Sequence, residues 1–426
     1  MMPRRTNEIS DFTIYLDALL DDIEKIDISY KNIQSLPGFC FARFKNLEEL
    51  NCTKNKLTSL PLLPETLMLL NVRLNRLTSL PPLPKNLIFL NVSCNKLTSL
   101  PHLPETLEIL ECYDNNLNSL PHLSETLKEL QCSNNLVDSL PPLPQNLKRL
   151  ECANNKLTSL PPLPENLIFL NVSCNKLDSL PPLPENLIFL NVSCNKLDSL
   201  PPLPETLKEL ECANNKLTSL PLLPKNLIFL NVSCNKLTSL PPLSETLKNL
   251  YCNNNKLTGL QPLPETLKIL ECYDNNLNSL PHLSENLKEL MCSNNNLYNM
   301  PQLPEGLKIV IFCDNPICAI IGNCNYYNNE VYLHLHLDMT ELEFIQMKHS
   351  IKILNNFHYL YYLLKYKKQF YKWLWRARKT KIIKDRIDVI TYHKASTNLS
   401  NIPKSYPIAI VLLHFPFLKR VLTFIS

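Results

Sequence analysis

Apolar positions recur through most of this chain with a period of twenty, and the rhythm changes within each period. From Leu47 onward each unit follows LxxLx(C/V)xxNxLxxLPxLPxx with small departures; Leu107, Leu110, Cys112, Asn115, Leu117, Leu120 and Pro121 make up one copy. Leu110 and Cys112 alternate with outward neighbours, so residues 109–113 predict a short strand of period two. Pro121 fixes its own φ and has no N–H to give a ladder. The Leu-Pro-x-Leu-Pro stretch therefore predicts extended, polyproline-like backbone rather than helix. A strand in front and a narrow extended segment behind make a flat coil whose successive strands pair in parallel, about 4.8 Å apart. Such a unit buries its apolar edge only on its neighbours, which lets 426 residues escape the size limit of one ordinary core.

The expected architecture is an α/β-class repeat solenoid of about fifteen turns. Parallel strands line the concave face, polyproline-like segments lie behind, and a mainly helical segment follows at the C-terminal end. Residues 1–22 read as an N-terminal cap, with Ser10 capping a short helix. Residues 23–318 are the solenoid. Its first unit takes 24 residues from Ile23 to Leu47, and Phe41 and Phe44 predict a wider, helical back side there. Residues 319–426 form a C-terminal cap and tail: a loop over 319–331 followed by a strand, then a helix over 340–379.

One polar position never loses phase. Asn55, Asn75, Asn95, Asn115, Asn135, Asn155, Asn175, Asn195, Asn215, Asn235, Asn255, Asn275, Asn295 and Asn315 stand where the backbone must turn out of the strand. A side chain holding both donor and acceptor satisfies the backbone groups buried there. This ladder is read as scaffold, not as chemistry.

Composition sharpens the picture. The 35 prolines recur at fixed phase, and the four glycines leave no room for a phosphate-cradling loop. Half of the 16 cysteines fall where a small apolar side chain is needed, and the N-terminus lacks a signal-peptide apolar run. Reduced thiols and an intracellular setting are expected. The net charge of +4 is unevenly placed: residues 331–426 carry 16 Lys+Arg against 5 Asp+Glu, leaving 27 against 34 in residues 1–330. The tail stretch 361–386 interleaves those cations with Tyr and Trp, a pattern that nucleic acid or anionic lipid can meet. Residues 408–418 are too short to span a bilayer.

The twenty-residue unit with its LPxLPxxL back side resembles leucine-rich repeat proteins, above all the short repeats of bacterial secreted effectors. The Asn-, Lys-, Ile- and Tyr-rich wording also resembles leucine-rich repeat proteins of giant DNA viruses such as Mimivirus. The first resemblance implies a protein-binding solenoid, the second a viral protein acting on host partners in the host cytoplasm. Bacterial effectors of this kind often carry a cysteine-dependent ubiquitin ligase domain after the array. Only about 110 residues follow here, and Cys324 is the last cysteine, so that implication does not carry over.

Candidate chemistry lies on the strand face. Exposed aromatics on a rigid sheet suit a protein partner. The expected contact residues are Phe89, Tyr113, Arg149, Phe169, Phe189, Phe229, Tyr251, Tyr273 and Met291. Cys94, Cys174, Cys194 and Cys234 sit just before the ladder Asn and are expected to be partly exposed. Cys313, Cys318 and Cys324 with His334 and His336 are the one metal-like cluster, and their spacing is not that of a zinc knuckle. No catalytic constellation, metal, cofactor or small-molecule substrate is expected. The leading function is a non-enzymatic protein-binding scaffold. The alternatives are a substrate-recognition adaptor for ubiquitylation, and a nucleic-acid- or membrane-surface-associated protein acting through the basic tail.

Overall fold

In the computed structural model, the described residues are 19–36, 41, 43–321, 325–327 and 345–355. The expected N-terminal cap over residues 1–22 lies almost wholly outside them, as does most of the tail. Sixteen strands of three residues each form one sheet in sequence order. The first is β1 (Lys25–Asp27) and the second β2 (Glu49–Asn51), 24 residues later. From β2 to β15 (Ile309–Ile311) each strand starts twenty residues after the last, and all these neighbours pair in parallel. Register is strict: Phe169 faces Phe189, Leu170 faces Leu190 and Asn171 faces Asn191.

The strands are shorter than the alternation predicts. Ile109–Glu111 is strand, but Asp114 holds φ at 53° and bends the chain out of it. Inter-turn bonding continues past the strand nonetheless. Cys112 N–H donates to the Gln131 carbonyl at 2.7 Å, and Asp114 N–H to the Ser133 carbonyl at 3.0 Å. The backbone at the position before the ladder Asn is left-handed in every turn from Lys54 to Asp314.

The core is one continuous column. In the turn taken above as the example, Leu107, Leu110, Cys112 and Leu117 are all fully buried, and Leu103 and Leu123 nearly so. The three largest fully buried side chains are Phe41, Phe44 and Phe312, and all stand at the two ends of the column. There the twenty-residue period does not continue, and bulkier side chains than Leu, Val or Cys fill the core. The helix expected around Phe41 and Phe44 is absent among the described residues, which show turns at 41, 43, 45 and 46.

The C-terminal end departs from expectation. The loop over 319–331 instead contains a short helix, α1 (Cys318–Ile321), and a strand, β16 (Asn325–Tyr327). β16 pairs antiparallel with β15 and gives the last parallel strand a partner. A second helix, α2, covers 345–355, inside the span expected to be helical. It seats Met347 and Ile351 in the core. Lys348 Nζ donates to the Pro304 carbonyl at 2.8 Å and Asn355 Nδ2 to the Met300 carbonyl at 2.8 Å. Helix is thus a minor component of the described residues. None of their helices is long and apolar enough to cross a membrane.

Candidate partner-binding face

The strand face is rigid because two polar ladders lock each turn to the next. The ladder Asn supplies one. Asn115 Oδ1 accepts from Leu97 N–H at 2.9 Å, while its Nδ2 donates to the carbonyls of Val92 and Cys112 at 3.0 and 3.2 Å. The same geometry runs from Asn55 to Asn315. The other ladder, which sequence reasoning missed, is a Thr or Asn nine positions before the ladder Asn. Thr106 Oγ1 donates to the Leu87 carbonyl at 2.8 Å, and Asn186 Nδ2 to the Glu165 carbonyl at 3.2 Å. Its signal was the restriction of that position to Thr or Asn from residue 66 to residue 286.

All nine expected contact residues lie half-buried on this face, and the sheet brings some of them together. Phe169 and Phe189 stack with ring centroids 4.2 Å apart and planes within 1°. Arg149 caps the stack, its guanidinium carbon 3.7 Å from the Phe169 centroid. Glu151 Oε1 holds that guanidinium through Nε at 2.6 Å and Nη2 at 2.5 Å. Cation, ring and ring therefore form one preorganised unit across three turns. Phe229 and Tyr251 make a second, looser pair at 5.3 Å.

Tyr113 joins a different group. Arg73, which sequence reasoning passed over, lies 5.7 Å from the Tyr113 ring and beside Glu111. Its signal was a cation in a column otherwise holding small polar or aromatic residues. Asn91 Nδ2 donates to Glu111 Oε2 at 2.5 Å. Burial pushes the carboxyls of Glu111, Glu211 and Glu271 above the ordinary glutamate range. With Glu129, Glu151, Glu209 and Glu289 they give the face an acidic background around its aromatic clusters.

Beside the stack runs an open groove of about 760 Å³ along the strand entry edge, lined by Lys148, Ile168, Ile188, Lys208 and Ile228 among others. Ile168 and Ile188 are each 38% exposed there. Sequence reasoning named the outward columns and missed this one, because the edge lies outside the period-two stretch.

The four thiols before the ladder Asn are accessible as expected, Cys174 and Cys194 most of all. The eight thiols of the inward column are buried, and burial pushes Cys212 up to about 12. Of the metal-like cluster, Cys313 and Cys318 are described: their thiols donate to Ser293 Oγ at 3.2 Å and the Phe312 carbonyl at 3.1 Å. Cys324, His334 and His336 lie outside the described residues, as does the basic stretch 361–386. Among the described residues no group of three or more His, Cys, Asp or Glu side chains is arranged to hold a metal.

No model of a known family matches the sequence, and neither does any curated protein. Solved structures do. The chain is 33% identical to YopM, a leucine-rich effector protein from Yersinia pestis, over 72% of this chain and 93% of that one, with a TM-score of 0.62. It is 26% identical to the functional domain of InlJ from Listeria monocytogenes, over 65% of this chain and 64% of that one, with a TM-score of 0.56. That domain includes a cysteine ladder; in this chain Cys112, Cys132 and Cys152 occupy the same fully buried position on successive turns. A leucine-rich repeat protein from Leptospira interrogans shares the fold, at 24% identity over 71% of this chain and 89% of that one, with a TM-score of 0.50.

Proposed function

Because the chain belongs to the leucine-rich repeat family, we propose that it is a non-enzymatic protein-binding scaffold that meets its partner on the strand face, centred on Arg149, Phe169 and Phe189. The stack of these three side chains carries the reading. A partner that covers them immobilises groups already held, so less rotamer freedom is lost than for free side chains. Arg and aromatic residues are also the types that concentrate binding energy at protein interfaces. Phe89, Tyr113, Phe229, Tyr251, Tyr273 and Met291 extend the same face on either side. The acidic background favours a partner with basic groups around an apolar centre.

The setting proposed is intracellular, supported by the use of Cys as a small buried apolar side chain in the inward column, as at Cys112, Cys132 and Cys152. The resemblance of its Asn-, Lys-, Ile- and Tyr-rich wording to leucine-rich repeat proteins of giant DNA viruses extends the proposal to a viral protein acting on host proteins. The test is cross-linking with mass spectrometry on the full chain expressed in the cells of origin, comparing wild type with the F169A/F189A variant. Partner peptides linked near residues 148–208 are expected in wild type and should fall roughly tenfold or more in the variant. An unchanged yield would remove the stack from the interface and this reading with it.

A further inference from the structure

Residues 161–180 and 181–200 are identical in sequence, so the fold places like against like, and one pair so placed carries exposed thiols. Cys174 and Cys194 stand on adjacent turns, and both are exposed. Their backbones adopt the same conformation, with φ of 52° and 55°. Cys174 N–H donates to the Ser193 carbonyl and Cys194 N–H to the Ala213 carbonyl, both at 2.8 Å, so the inter-turn ladder runs directly through them. Ladder spacing puts their Cα atoms about 4.8 Å apart, inside the window of roughly 4.4–6.8 Å that a disulfide spans. Their parallel Cα–Cβ bonds leave the Cβ atoms at about the same separation, roughly 1 Å beyond the mean of about 3.8 Å for relaxed bridges, so closure draws the two turns slightly together. The Cys174 thiol is pushed up, first by burial and then by the Cys194 thiol beside it.

The surrounding cysteines differ in one respect each. Cys94 has Asp114 on the next turn and donates to its carboxylate at 3.5 Å. Cys234 has Asn214 and Asn254 as neighbours in its column. Cys112, Cys132 and Cys152 are adjacent to one another, but they are fully buried and shielded from any reagent. At Cys174 and Cys194, proximity on adjacent turns and access to solvent coincide.

We propose that Cys174 and Cys194 form a dithiol modification site, which closes to a disulfide between adjacent turns by exchange with a small-molecule disulfide of the glutathione type. One thiolate attacks a sulfur of the oxidant and expels the first thiolate, giving a mixed disulfide. The neighbouring thiolate then attacks the protein sulfur of that bond and expels the second. Two protein thiols lose two electrons, the oxidant is reduced to two thiols, and the two protons end on the leaving groups. The bond staples the two turns that carry Phe169 and Phe189.

The test uses the folded full chain with glutathione disulfide as the probe, followed by alkylation, trypsin digestion and non-reducing mass spectrometry. Cleavage after Lys156, Lys176 and Lys196 gives two peptides with one cysteine each, distinguished by Thr158 against Asp178. The linked pair of peptides is expected as the main oxidised form of Cys174, while Cys234 carries glutathione alone. In urea the linked share should fall severalfold, and in the C174S variant Cys194 should stop at the glutathione adduct. Separate glutathione adducts on Cys174 and Cys194 in the folded protein overturn the proposal. So do two free thiols at oxidant concentrations that modify the urea-unfolded chain.

Discussion

Asn195 shows how much one side chain carries in this fold. Its Oδ1 accepts from Leu177 N–H, and its Nδ2 donates to the carbonyls of Val172, Val192 and Ser193. N195A strands the Leu177 donor between turns, while the Val172 carbonyl keeps the bond from Asn175 Nδ2. At about 1–3 kcal/mol for a buried group left unmade, a loss of that size is expected in a urea titration followed by circular dichroism. The residue before the ladder Asn predicts a gain instead. Leu74 holds φ at 57° with its side chain 39% exposed. L-residues other than Gly and Asn or Asp are strained there. L74N should therefore stabilise by about 0.5–1 kcal/mol in the same titration. The ladder Asn was legible because it never varies. The left-handed position was not, although Asn or Asp fills eight of its fourteen places from 54 to 314. Cys, Lys and Leu at the others hid a backbone rule behind side-chain variety.

At the scale of elements, the repeating unit was legible and its ends only in part. Strand, bend and extended back segment follow from alternation and proline phase, which every turn repeats. At the C-terminal end the twenty-residue period stops; apolar spacing still marked helix over 340–379, where α2 lies, but nothing marked α1 or the place of β16. Closure there depends on α2 and β16. The helix seats Ile351 almost fully buried against the last turns and ties itself to the Met300 and Pro304 carbonyls. I351D buries a carboxylate without a partner, a change that expels the helix rather than being accommodated. Amide exchange at residues 300–311 should then quicken roughly tenfold or more, while exchange near Leu190 stays as in wild type, because the stability of stacked repeats is local. Equal acceleration throughout would show that the array unfolds as one body.

For the molecule as a whole, strict register makes fold and site separable. Deleting residues 181–200 joins β8 (Phe169–Asn171) to β10 (Glu209–Glu211), with every core position still in phase. The chain should fold, with circular dichroism per residue unchanged and only a modest loss of stability. Phe169 would then face Glu209 instead of Phe189, so the stack and the partner proposed for it should be lost together. A partner retained at full affinity would place the interface elsewhere on the face. The columns of the candidate site were legible, because outward positions alternate with buried ones. Which members touch was not: Arg149 reaches Phe169 across a turn, and Arg73 reaches toward Tyr113 across two.

The same register has a consequence for how such a chain can grow. Each outward residue spends its life beside the residue one turn away, so copying a unit asks every side chain to tolerate its own twin. Phe169 and Phe189 pass by stacking. Asp178 and Asp198, brought one turn apart by the same copying event, gain only repulsion, although each finds a neighbouring serine hydroxyl. Duplication thus lengthens the molecule at no cost to its core while sorting its surface into residues that welcome a copy and residues that resist one. Novelty on that surface has to come by substitution, as at Arg149 and Tyr251, where a single letter breaks the echo.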